Sequence, residues 1–167
     1  MSTPTPPGPA SAAPPRGLAD LLNHVGERAR AAAVFAEVNA SPMTLDCKAK
    51  ASAAPASFRL TWEGDRLWAA FVTPDRWLSH SIEADLLNTG DHLEELISEE
   101  LADVGHTGAA TVCEHFRSED RLFTFRTPVP LRAGDLASPS AIETASQFLL
   151  ACEACFRRLG DVDTSED

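Results

Sequence analysis

The sequence predicts an α+β domain: one curved antiparallel sheet packed by helices, in the order helix, three strands, helix, two strands, helix. Three observations carry this. The C-terminal segment has a complete helix signature: Ser138 as a cap, Pro139 at the first helical position, and Ser140 and Glu143 at capping-box spacing. Its residues Ile142, Ala145, Leu149, Cys152, Phe156 and Leu159 recur at steps of three and four, and Gly160 ends the pattern. The middle of the chain instead alternates with the period of two that belongs to strands. A second stretch of helical period, Asp91 to Val104, divides the strands into a group of three and a group of two.

The first helix is expected from about Gly17 to Val38, with Leu18, Leu21, Leu22, Val25 and Ala29 on one face and Asn39 to Pro42 as its stop. Met43 to Lys50 alternates weakly and reads as a short strand or an irregular lead-in, interrupted by Pro55. In the first clear strand, Phe58, Leu60 and Trp62 alternate with Arg59, Thr61 and Glu63. A tight turn, Glu63 to Arg66, leads into Leu67–Val72, which is apolar on both faces like a central strand. After Thr73-Pro74-Asp75, a third strand is expected, with Leu78, His80, Ile82, Ala84 and Leu86 inward and Trp77, Ser79, Ser81, Glu83 and Asp85 outward.

The middle helix has Asp91 and Glu94 at capping-box spacing. Leu93, Leu96, Ile97, Leu101 and Val104 form its apolar face, and Glu94, Glu95, Glu99, Glu100 and Asp103 its acidic one; Gly105 ends it. Ala110, Val112, Glu114 and Phe116 give the fourth strand. Arg117 to Asp120 turns it into the fifth, Arg121 to about Leu131, whose end Pro128 and Pro130 mark as an edge.

These elements fill one domain, residues 17–160, between a Pro/Ala-rich tail at 1–16 read as disordered and an acidic tail at 161–167. The tail at 1–16 lacks the basic segment and apolar run of a secretory signal, and no stretch approaches the roughly 20 apolar residues that span a bilayer. The net charge of −11 argues against nucleic acid and anionic membrane as partners, because phosphate binding needs Lys and Arg to displace counterions. A cytoplasmic location is expected.

Neither enzymatic nor metal chemistry emerges. The chain has no P-loop, dinucleotide glycine fingerprint, nucleophile elbow or H-E-x-x-H motif. Neighbouring carboxylates such as Glu94/Glu95 and Glu99/Glu100 do not converge on a helix. His80 reads as a core histidine; His24, His92 and His106 read as surface or loop residues. Cys152 and Cys155 form a C-x-x-C deep inside the last helix, whereas redox motifs of this kind sit at a helix N-terminus. They are expected to be reduced core thiols. Cys113, His115 and His106 are the conceivable remaining ligands, but zinc needs about four that converge. No cofactor or metal is expected.

Helix, three-strand meander, helix, two-strand hairpin, helix is the order of the type III secretion chaperone-like fold, which the YbjN-type family of bacterial cytoplasmic proteins shares. The stretch Leu122-Phe123-Thr124-Phe125-Arg126-Thr127-Pro128-Val129-Pro130-Leu131, followed by a loop and by Ser138 opening a long helix, resembles the end of such domains. The resemblance covers roughly Gly17 to Gly160. It implies a curved sheet packed by helices, often a homodimer, and, for the secretion chaperones, binding of an extended client segment. The expected function is therefore a non-enzymatic, chaperone-like protein-binding module, with Trp68, Phe71 and Trp77 as candidate anchors. The alternatives are a dimerisation or sensory domain of roadblock type, which places two strands before the middle helix and three after, and a small enzyme with an unrecognised site.

Overall fold

The computed structural model describes residues 14–50, 54–108, 112–118, 121–157 and 159. Most of both tails, together with Ala110, Glu119, Asp120 and Gly160, lie outside them. The elements run α1 (Leu18–Ala32), β1 (Phe35–Ala40), β2 (Thr44–Ala49), β3 (Ser57–Glu63), β4 (Arg66–Thr73), α2 (Arg76–Thr89), α3 (Leu93–Asp103), β5 (Glu114–Arg117), β6 (Phe123–Val129) and α4 (Pro139–Arg157). The strands form one antiparallel sheet in the order β1-β2-β3-β4-β6-β5. The α+β class and the open antiparallel sheet packed by helices are as the sequence leads one to expect.

The pairing register defines two faces. Val38, Cys47, Phe58, Phe71, Phe125 and His115 stand side by side across all six strands. Leu45, Leu60 and Ala69 continue this inner face. All four helices contribute to the core built on it: Leu21, Leu22 and Val25 from α1, Leu78 and Ile82 from α2, Leu93, Ile97 and Leu101 from α3, and Phe148, Leu149 and Phe156 from α4. At the centre the Phe156 ring stacks on Phe71, 4.6 Å between centroids, with Phe125 at 5.5 Å and Phe58 at 6.5 Å. The adjacent row, Asn39, Asp46, Arg59, Ala70, Arg126 and Glu114, lies on the outer face. The layout is two-layered, helices on one side and an antiparallel sheet with one face turned outward.

Several elements differ from expectation. The first helix ends at Ala32, and Phe35–Ala40 is an edge strand rather than more helix. The alanine run favours helix, but Ala33 takes a left-handed conformation (φ 61°) and the chain turns to pair with β2. Met43–Lys50 resolves into strand β2. Trp77 to Leu86, expected as a strand, lie within helix α2. Its inward residues Leu78, Ile82 and Leu86 are four apart, a spacing that satisfies a period of two and of 3.6 alike. The result is four strands before the helical middle and two after, so the expected three-plus-two split is corrected, and the roadblock order of two and three is not met either.

β6 lies between β4 and β5, but β5 pairs only with Phe123–Arg126, so the end of β6 at Pro128 is an open edge on that side, where a proline is tolerated. α3 starts one residue later than its expected box, with His92 rather than Asp91 at the cap. At α4 the cap is as expected: Ser138 Oγ accepts the Ala141 N–H at 3.3 Å. The helix is buried more broadly than its stripe, Phe148, Ala151 and Cys155 joining Leu149, Cys152 and Phe156.

Candidate interaction surface

α2 is built to start and stop sharply. Thr73 Oγ1 donates to the Pro55 carbonyl (2.6 Å) and accepts the Asp75 N–H (3.0 Å). Asp75 Oδ1 then accepts the Leu78 N–H at 2.8 Å, the N-cap bond that launches the helix. Gly90, at φ 76°, closes the other end with its N–H on the Leu86 carbonyl at 2.9 Å. Between these caps Leu78, Ser79 and Ile82 face the core. Helical geometry then forces the remaining apolar residues outward. Trp77 is 74% exposed and Leu87 83%, with exposed His80 and Ala84 between them on one stripe. The Trp77 and His80 rings meet edge-on at 6.5 Å. An exposed Trp and Leu on one helix face are an apolar surface that the monomer does not cover.

The three expected anchors therefore separate. Trp77 is not on a strand but near the start of α2, and it alone of the three is open to a partner. Phe71 is 3% exposed and stacked in the centre of the core, so it anchors the fold rather than a partner. Trp68 is on the outer face but only 8% exposed. The Arg126 guanidinium lies 3.8 Å from its ring centroid and 4.9 Å from that of Phe116. Arg126 is fixed there by Glu63 and by Glu114, the latter at 2.9 Å. The Leu87 half of the exposed stripe escaped sequence reading: the expected strand stopped at Leu86, and a strand would set Leu87 on the face of Trp77 but about 33 Å away, whereas a helix brings the two within about 15 Å.

α2 is tied to the sheet through His115. Its ring lies flat on Phe125, 3.8 Å between centroids, with Nδ1 3.1 Å from the Thr124 carbonyl and Nε2 against the Glu83 carboxylate. A cavity of about 240 Å³ beside it is lined by Leu86, Leu93, Glu94 and Cys113 among others. Both His115 nitrogens are thus engaged, and Glu94 accepts the Cys113 N–H at 3.2 Å. His80, expected inward, is exposed; His106 Nδ1 lies 3.1 Å from Gln147 Oε1, linking the end of α3 to α4.

The thiols are chemically quiet. Burial, then the neighbouring Asp46 carboxylate, pushes Cys47 up to about 12; burial, then Glu94, pushes Cys113 up to about 12. Burial, then Cys155 and Cys113, holds Cys152 well above the ordinary thiol value. Thiols raised in this way stay protonated near neutral pH, which disfavours Cys47, Cys113 and Cys152 as free nucleophiles. None of the four cysteines forms a disulfide, and among the described residues no group of three or more His, Cys, Asp and Glu is placed to hold a metal ion. Among those residues, too, no helix is long and apolar enough to cross a membrane.

Comparison of the chain with family models, with curated proteins and with solved structures finds no match.

Proposed function

We propose that this chain is a non-enzymatic, chaperone-like protein-binding module of the cytoplasm that engages another polypeptide through the bare face of α2. One observation carries the reading: Trp77 and Leu87 share an exposed stripe on a helix whose other face is fully used by the core. A tryptophan such as Trp77 is among the side chains that most often carry the energy of a protein interface, while rim charges contribute little. The quiet thiols and the internally engaged His115 favour binding over catalysis. The likeness to type III secretion chaperones and YbjN-type proteins belongs to this proposal, as does a dimeric working state.

The test is a native pull-down with wild-type chain, Trp77→Ala and Glu95→Ala, followed by identification of the captured chains. Capture of a defined polypeptide in near-stoichiometric amount by wild type and Glu95→Ala, and its loss with Trp77→Ala, is expected. Equal capture by all three, or none by any, overturns the reading.

A further inference from the structure

We infer that the polypeptide seated on the α2 stripe is a cationic amphipathic segment of another protein, with an apolar side chain against Trp77 and Leu87 and with Lys or Arg along the adjoining face of α3. This rests on the binding reading above and names the chemistry of its partner. Between Trp77 and Gly105 the chain has eight Asp and Glu and neither Lys nor Arg. Some of the eight are used internally: Glu83 by His115, and Glu94 by the Cys113 N–H. Glu95, Glu99 and Asp103 are exposed and form no ion pair among the described residues. They are four apart, so they stand in one row along α3, about 6 Å between neighbours. Like charges at this spacing repel, and Asp103 lies at the negative end of the helix dipole. Lys and Arg of a partner laid along the row would offset both.

The row and the stripe adjoin. α2 and α3 are joined by three residues, Gly90 to His92, and Glu83 and Leu86 line one cavity with Leu93 and Glu94. The Leu87 end of the stripe therefore lies beside the head of the row, with exposed Asp91 between them. The stripe residues Trp77, His80, Ala84 and Leu87 include no carboxylate, so charge does not oppose an apolar anchor there. A segment that fits both parts is apolar where it meets Trp77 and basic where it meets Glu95, Glu99 and Asp103. A second copy of this chain, at net charge −11, brings more carboxylates than cations to the contact, and an acidic or uncharged segment leaves the row unanswered. Rim charges of this kind steer the encounter and set its salt dependence, while a desolvated tryptophan holds the complex.

The probe is a fluorescein-labelled synthetic amphipathic helix of leucine and lysine, about 18 residues and so about 27 Å long. Beside it run a copy with glutamate for lysine and a copy with serine for leucine. Binding to the full chain is followed by fluorescence anisotropy at low and at physiological salt. The leucine–lysine peptide should bind, and the two copies about tenfold more weakly or worse. Trp77→Ala should weaken it about tenfold or more with an unchanged thermal melt. One rim carboxylate contributes little, so the row is neutralised together: Glu95→Gln, Glu99→Gln and Asp103→Asn in one chain should weaken binding about fivefold and flatten its salt dependence. Asp20→Asn, Glu27→Gln and Glu37→Gln, at exposed carboxylates of α1 and β1, change the net charge equally and should leave the affinity nearly unchanged. Equal loss from the two triple variants means attraction to net charge alone and overturns the inference; so does binding that ignores Trp77. Trp77-dependent binding of the glutamate copy, or Trp77-dependent self-association, overturns it too but leaves the binding reading standing. No binding of the leucine–lysine peptide also overturns it, and the native pull-down then decides the binding reading by itself.

Discussion

Arg126 is the side chain on which the outer face of the sheet depends, and Arg126→Ala should cost about 2–3 kcal/mol. Its guanidinium covers Trp68 at 3.8 Å and Phe116 at 4.9 Å. A partly desolvated cation–π contact contributes on the order of 1 kcal/mol. The ion pairs with Glu63 and Glu114 add little, because those carboxylates are 58% and 45% exposed and solvent screens them; about 0.5 kcal/mol for both is a fair allowance. Truncation also bares the Trp68 ring, and about 50 Å² of apolar surface returned to water is worth roughly 1 kcal/mol. The assay is urea unfolding followed by tryptophan fluorescence, with Arg126→Lys beside it. Lys keeps the charge but not the planar cover, so it should recover less than half of the loss. The Arg126→Ala emission should shift to the red in the native baseline. A cost below about 0.5 kcal/mol, or full recovery by Lys, would refute the stacking argument.

Phe156→Ala should be the harsher change, about 3–5 kcal/mol, since it empties the aromatic centre beneath β4; a urea midpoint close to wild type would contradict this. Ala33→Gly should stabilise by up to about 1 kcal/mol, because Ala33 sits at φ 61°, and a melting temperature unchanged or lowered would count against it. Stability should fall as pH rises from about 9 to 12. Cys47 has a raised folded-state pKa near 12, so its stabilising contribution is complete below the unfolded thiol value and is lost as unfolded thiols ionise first, by about 1.4 kcal/mol per pH unit. Cys47→Ala should flatten that slope in a pH series of urea midpoints.

Sequence legibility followed the number of independent signals at each segment. α4 was readable because cap, proline and apolar stripe agree, and Ser138 does bond the Ala141 N–H. Phe58–Trp62, which alternates, and Leu67–Val72, which is apolar on both faces, are readable as strands joined by a two-residue turn at Gly64-Asp65, where Gly64 holds φ 70°. α2 was misread because Leu78, Ile82 and Leu86 fit both periods; the Asp75 cap and Gly90 stop were the signals that separate them. β1 was hidden because Ala31, Ala32 and Ala33 carry the helix tendency up to Phe35, and only pairing with β2 decides otherwise. The candidate surface suffered from the same error. Trp77 reads as an outward aromatic from the sequence, but its companion Leu87 lies about 33 Å away on a strand and comes within about 15 Å of it only when the segment is wound into a helix.

The position of α4 in the chain has a consequence for synthesis. β1 to β4 form an antiparallel meander whose every pairing joins consecutive strands, so these four of the six strands can assemble as soon as Thr73 has emerged. Yet the side chains that close over Phe58 and Phe71 come from Phe156, near the end of the chain. At roughly 5–20 residues per second, the ribosome takes about 4–17 s to make the 84 residues between Thr73 and Arg157. Through that interval the nascent protein carries an aromatic strip that Phe156 has yet to cover, so the unfinished chain exposes apolar surface that the finished one buries.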